Sequence, residues 1–321
     1  MPDLWTKEKE IEFFNDAGKF ASSEQLFYFG DDSRYYAYWP KSYKGKKSTL
    51  QSRNALIGNF TEKYSVDLLQ EFANSKGLYA VQGAICNEIG LSPQSPADVV
   101  LCKCREREQK AEDIAAIFEV KMSIVWNWEL KNNKFICLGD FKTHKGNPGL
   151  LRSDSMLKAI GKSINIRVSG HGASKIPIII LGNTPVTQSY ISKVHHLYHA
   201  GIIQGFWSVN PNPLDNSDDN LKQTPGSGFI RMDSYDELRQ SLNILLSEKC
   251  ESFSSMKSRK ELGRIIEIAN REPDFESKAE KFLSLEPISK RIKSDELIGA
   301  ISARKPYKLI CIYNHNYLTC Y

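Results

Sequence analysis

No stretch of this sequence approaches the roughly 18 consecutive apolar residues of a membrane-spanning helix. Its opening, MPDLWTKEKEIEFF, is too charged for a secretory signal, so a cytoplasmic protein is expected. A disulfide framework is also missing: the seven cysteines are odd in number and scattered, which suits reduced thiols. Cys102 and Cys104 have no second cysteine pair at zinc-site spacing, so structural zinc is not expected. There is no internal repeat and no long low-complexity tract. TPGSG lacks the Lys-Ser/Thr of a phosphate-binding loop and reads as a flexible turn. His195 and His199 lie one helical turn apart, but position 196 is His where a metalloprotease signature needs Glu. Asp215, Asp218 and Asp219 lack the spacing of a calcium loop.

What is present suits a soluble globular protein. The 321 residues are 41% hydrophobic and 25% charged, enough for one large domain or two modest ones. The net charge of +5 is modest, but it is unevenly placed. Residues 41–53 hold Lys41, Lys44, Lys46, Lys47 and Arg53 without an acid. Residues 142–175 hold Lys142, Lys145, Arg152, Lys158, Lys162, Arg167 and Lys175 against Asp154 alone. Clustered positive charge of this kind attracts a polyanion through counterion release; solvated surfaces are the alternative.

Periodicity divides the chain. Residues 1–53 read as irregular apart from a helix near 7–16, and are taken as an N-terminal extension that contacts DNA. Residues 54–75 show Ile57, Phe60, Tyr64, Leu68, Leu69 and Phe72 at helical spacing. GLYAVQG, ADVVLCKC and IAAIFEVKMSI read as strands, and VWNWELKNNKFICLGD as a hairpin with KNNK at its tip. A helix over 153–166 is expected, with Met156, Leu157, Ile160 and Ile164 as its apolar stripe. IPIIILGN reads as a central strand covered on both faces; a helix near 187–200 and the strand IIQGFWSV follow. Residues 54–209 therefore predict an α/β core with a mixed sheet between helices. Residues 210–321 read as a mostly helical C-terminal subdomain packed on the core, with capping boxes at Ser234/Glu237 and Ser258/Glu261, and with a last strand in YKLICIYNHNYLTCY.

Within SPADVVLCKCREREQKAEDIAAIFEVKMSI, two apolar strands carry charge: Asp98 opens the first, and Glu119 and Lys121 interrupt the second. Alternation puts Glu119 and Lys121 on one face, and pairing of the strands would bring Asp98 beside them. Buried charges are costly alone, and two carboxylates repel. A divalent cation resolves both problems. Mg2+ takes oxygen ligands, keeps several waters, and is satisfied by one or two carboxylates with a phosphate oxygen. Asp98 and Glu119 would then hold the metal and Lys121 would orient the attacking water, which is the chemistry of phosphodiester hydrolysis. This reading requires Asp98 and Glu119 to lie within about 10 Å of one another.

The pattern resembles the PD-(D/E)XK nuclease superfamily, known best from type II restriction endonucleases. The resemblance rests on Pro96 and Asp98 in SPAD and on EVK at Glu119–Lys121, with twenty residues between the acids. Ala97 separates Pro96 from Asp98, a departure from the literal motif, and the resemblance covers residues 54–209. It implies a restriction-endonuclease-like core, a Mg2+ cofactor, double-stranded DNA as substrate, and a cognate methyltransferase as a separate protein. A palindromic target would further imply a homodimer. The superfamily often brings a carboxylate from the first core helix, and Glu62 projects into the apolar arc there; the alternative is a helix-stabilising charge at the first turn. The helix after the catalytic strands often approaches phosphates, which makes Lys158 and Lys162, read as lying opposite the apolar stripe, expected DNA contacts together with Arg152, Lys46, Lys47 and Arg53. Segments 35–53 and 140–152 are the expected base readers. Two alternatives stay open: a structure-specific or repair nuclease of the same fold, and a non-catalytic DNA-binding protein whose acids form salt bridges.

Overall fold

The computed structural model describes residues 2–45, 49–215, 220–247, 264 and 267–285. The chain forms two compact units, residues 1–258 and 259–321. In the second, residues 267–269 are helical and α7 spans Phe275–Leu285. The capping box at Ser258/Glu261, the last strand expected at 307–321, Asp218 and Asp219, and the lysines Lys46 and Lys47 lie outside the described residues.

The first unit is α/β. Its main sheet has six strands: β3 (Tyr79–Ala84), β4 (Ala97–Cys102), β5 (Ile114–Lys121), β8 (Ile178–Gly182), β9 (Gly205–Ser208) and β10 (Phe229–Arg231), in the spatial order β10-β9-β8-β5-β4-β3. β3, β4 and β5 are antiparallel neighbours, whereas β5, β8, β9 and β10 run parallel, so the sheet is mixed. A second, antiparallel sheet joins β1 (Tyr28–Phe29), β2 (Tyr35–Tyr36), β6 (Asn127–Lys131) and β7 (Lys134–Gly139). Asn132 and Asn133 form the β6–β7 tip with φ of 50° and 57°, the left-handed pair that a two-residue hairpin turn demands.

Helices cover both faces of the main sheet. On one face α3 (Gln51–Ser75) packs Leu68, Leu69 and Phe72 against Val99, Leu101 and Phe118. On the other, α4 (Ser153–Ser169) and α5 (Ile191–His199) set Met156, Ala159, Ile166 and Val194 against Val100, Ile117, Ile178 and Ile180. All of β8 is buried, as a strand covered on both sides should be. Among the described residues no helix is long and apolar enough to cross a membrane.

Three expectations are corrected here. The apolar stripe of α4 is rotated: Met156, Ala159, Ser163 and Ile166 are buried, while Leu157 is 60% and Ile164 41% exposed. The buried face carries the small Ala159 and Ser163 between Met156 and Ile166. Second, residues 1–53 hold the helix expected near 7–16 but are not otherwise irregular. α1 (Lys7–Ala17) and α2 (Ser23–Leu26) place Trp5, Phe13, Phe14 and Phe27 in the same core as Leu68 and Phe118. Glu10 is buried there and its carboxylate accepts hydrogen bonds from the indoles of Trp5 (3.1 Å) and Trp128 (2.7 Å) and from the amides of Val125 and Trp126. Third, the two units divide at residue 258, not at 209: β10 joins the main sheet, and α6 (Tyr235–Ser247) buries Leu238 and Leu242 in the core, on which this stretch was expected to pack. Ser234 caps α6 through the Glu237 amide, but the Glu237 carboxylate accepts from Asp233 and Lys222 instead of closing the box.

Candidate active site

Register brings the acids together. Val99 pairs with Phe118 and Val100 with Ile117, which places Asp98 across from Glu119 where β4 begins and β5 ends. Both project from the face covered by α4. On the same strands Val99, Phe118 and Val120 face α3 and belong to its apolar cluster. The alternation thus keeps one side apolar and gives the other a charged end.

The two carboxylates share two amines. Lys121 Nζ lies 3.2 Å from Asp98 Oδ2, 2.7 Å from Glu119 Oε1 and 2.9 Å from the Val120 carbonyl. Lys162, arriving on α4, sets its Nζ 2.9 Å from Asp98 Oδ1 and 2.6 Å from Glu119 Oε2. Asp98 Oδ2 also accepts from the Val120 amide at 2.8 Å. The four side chains are between 6% and 18% exposed, so solvent screens them little. Burial opposes ionisation of Asp98, yet Lys121, Lys162 and the Val120 amide hold its carboxyl below the usual range. Burial and then the neighbouring Asp98 push Glu119 up, against both lysines. Burial also works against the Lys162 ammonium, but the two acids outweigh it and raise its pKa.

Glu62 reaches the same neighbourhood from α3. It is half-buried and accepts a hydrogen bond from Gln82 Nε2 of β3 at 2.9 Å. Burial raises its pKa; Asp98 adds to the rise, and Lys121 and Lys162 oppose it. Asn183, fully buried at the end of β8, clamps the chain just past Lys121. Its Oδ1 accepts from Ser123 N at 3.1 Å and its Nδ2 donates to Ser123 O at 2.7 Å. Gly149, at φ +53°, lets the preceding loop close in: a Cβ there would stand 3.1 Å from the Lys121 carbonyl oxygen.

The donor set fits a hard cation. Two carboxylates and a main-chain carbonyl already surround an ammonium, and buried Glu119 Oε2 has no hydrogen-bond partner beside its ion pair with Lys162. Among the described residues, no group of three or more His, Cys, Asp or Glu side chains is placed to hold a metal, so main-chain oxygen and water would complete the shell.

The expected DNA contacts separate. Lys158 is 72% and Arg152 55% exposed, each paired with Asp154 at the start of α4. Lys162 is not on the outer face; the rotation of α4 turns it into the acid cluster. Arg53 is buried: it donates to the Leu26 and Ala37 carbonyls and lies over Tyr28 and Tyr38, so it tethers segment 26–38 to α3 and offers nothing to a phosphate. Arg167 is likewise internal, donating to the carbonyls of Ala173, Ile176 and Ile202 and to Gln204.

Segments 35–45 and 140–152 meet. Pro40 bridges to His144, the Lys145 amide donates to the Trp39 carbonyl at 2.9 Å, and the Tyr38 and His144 rings stack at 4.1 Å. Tyr38 Oη donates to the Ile124 carbonyl at 2.8 Å, three residues past Lys121. Lys41, Lys44 and Lys142 are exposed on these segments. The inward course of Lys162, the support from Gln82 and the clamp at Asn183 carry no sequence pattern of their own. The nearest signal for Asn183 is a polar residue closing a wholly apolar strand.

No family model, no curated protein and no solved structure matches this chain.

Proposed function

We propose that the chain is a Mg2+-dependent nuclease of the PD-(D/E)XK type, acting on double-stranded DNA as a type II restriction endonuclease. The observation that carries this reading is the convergence of Asp98 and Glu119, from two antiparallel strands, on one cation position lined by three oxygens and filled here by the Lys121 ammonium. Asp98, Glu119 and the Val120 carbonyl would hold the ion, which supplies Lewis acidity toward a phosphate oxygen. Lys121 Nζ, giving up these oxygens to the ion, would hold the attacking water, Glu62 with Gln82 would orient it from the α3 side, and Asn183 keeps the end of β5 in place. The joined segments 35–45 and 140–152, with Arg152 and Lys158, form the basic approach to the site. A palindromic target would call for two copies of the chain.

A second reading has its own support. Two acids and two amines neutralise one another without any metal, as a structural ion cluster would. The deciding experiment incubates the protein with phage DNA and Mg2+ and maps fragment ends. Discrete fragments are expected. Lys121→Ala should abolish cutting while DNA binding in Ca2+ persists. Uncut DNA with the wild-type protein, in both Mg2+ and Mn2+, would leave the structural cluster as the account. Cleavage only of branched or ended DNA would instead assign a structure-specific nuclease.

A further inference from the structure

The second amine is the unexplained part of the cluster. Lys121 alone satisfies one oxygen of each acid, and the nuclease reading gives it a task. Lys162 comes from a different element, spans the remaining oxygens Asp98 Oδ1 and Glu119 Oε2, and is 17% exposed. Holding an ammonium there, instead of leaving room for water, costs desolvation that only the two acids offset. Its position on the two carboxylates mirrors that of Lys121: each amine touches one oxygen of Asp98 and one of Glu119.

We infer that Lys162 is a built-in second cation, so that the site takes one divalent ion where a two-metal centre would take two. The inference rests on the nuclease reading above. Its argument is charge balance in a poorly screened pocket. Glu62, Asp98 and Glu119 carry three negative charges, Lys121 and Lys162 two positive. One divalent ion and one phosphodiester bring the assembly to neutrality. A second divalent ion would leave two positive charges uncompensated beside the sheet: the first ion takes Asp98 Oδ2 and Glu119 Oε1 from Lys121, which turns to the attacking water, while Lys162 keeps Asp98 Oδ1 and Glu119 Oε2. In a two-metal site, the two ions together stabilise the attacking and leaving oxygens. Here the tethered ammonium takes the place of the second ion. It can donate to the phosphate or to the departing oxygen, and it cannot diffuse away when the external ion concentration falls. Lys162, delivered by α4, would thus have a role separate from that of Lys121.

The test counts ions. Mn2+ bound per full-length chain is measured by electron paramagnetic resonance titration, and site ions are those lost in Asp98→Asn. Wild type should bind one site ion. Lys162→Met should bind two, because the freed oxygens and the lost positive charge admit another; Lys162→Arg, which keeps the charge, should bind one. Lys162→Gln is a second neutral variant, with the same expected count of two, should the methionine variant fail to fold by circular dichroism. Two site ions in the wild type would overturn the inference while leaving the metal-dependent nuclease intact. One site ion in both wild type and the folded neutral variant would overturn it as well. A wild-type chain that binds no Mn2+ at millimolar concentration would overturn the nuclease reading itself.

Discussion

If the two acids and two amines form one electrostatic unit, neutralising one member should hurt more than neutralising a matched pair. The perturbations are Asp98→Asn and Lys162→Met, each close in shape to the native side chain. Asp98 and Lys162 meet at 2.9 Å and are 15% and 17% exposed. Removing one partner of a fully buried pair costs about 3–5 kcal/mol; the residual exposure here lowers that to about 2.5 kcal/mol for each single variant. The double variant leaves Glu119 with Lys121, a balanced pair, and should cost about 2 kcal/mol in all. The coupling is then about 3 kcal/mol, at the upper end of what contacting residues show. Urea unfolding in metal-free buffer reads this out through tryptophan fluorescence, since all five tryptophans lie in the first unit. With an m value of about 3 kcal/mol per molar, each single variant should lower the midpoint by about 0.8 M. Additive losses, with the double variant down by about 1.7 M, would refute the idea of a single unit.

Three other outcomes follow from the geometry. Arg53→Met should destabilise the fold by about 3 kcal/mol, because it leaves the Leu26 and Ala37 carbonyls without their charged donor. DNA affinity per folded molecule should not change, and a selective loss of binding at unchanged midpoint would return Arg53 to the DNA surface. His144 is held neutral: its Nδ1 accepts from Gly146 N at 3.0 Å, Nε2 faces the Val125 carbonyl, and burial lowers its pKa to about 4. Between that value and about 6.5 the unfolded chain binds a proton that the folded chain refuses, so stability falls as pH drops through this window, by up to about 3 kcal/mol. His144→Gln should flatten that part of the pH profile, and an unchanged profile in urea melts would contradict the assignment. Arg152→Ala with Lys158→Ala should weaken binding to every duplex alike and reduce the salt slope by about 2, measured by anisotropy in Ca2+; a loss confined to one sequence would contradict a phosphate role.

Strand periodicity made the acid pair legible. Asp98 and Glu119 break runs that are otherwise apolar, and a period of two fixes which neighbours share their face. The paired register that sets them opposite one another was a small step further. The α4 helix was read in the wrong phase because bulk misled. Leu157, Ile160 and Ile164 outweigh Ala159 and Ser163 on any apolar scale, yet the helix buries the small pair and exposes Leu157 and Ile164. That error placed Lys162 on the outside. Arg53 and Arg167 escaped because their partners are mostly main-chain carbonyls of distant segments, which no residue type announces. The meeting of segments 35–45 and 140–152 depends on a second sheet built from β1 and β2, two strands of two residues each, too short to leave a periodic signal.

The Glu10 carboxylate has a practical consequence for handling the protein. Four N–H groups converge on it, one from Trp5 and three from Val125, Trp126 and Trp128, just downstream of the strand that ends at Lys121. Clipping the first dozen residues would strip those donors of their acceptor and loosen the scaffold behind Lys121 from the back. A purification handle is better appended ahead of Met1 than traded for native residues there, and a preparation nicked by protease in that stretch should unfold at lower urea even though every acid and amine of the cluster is still present.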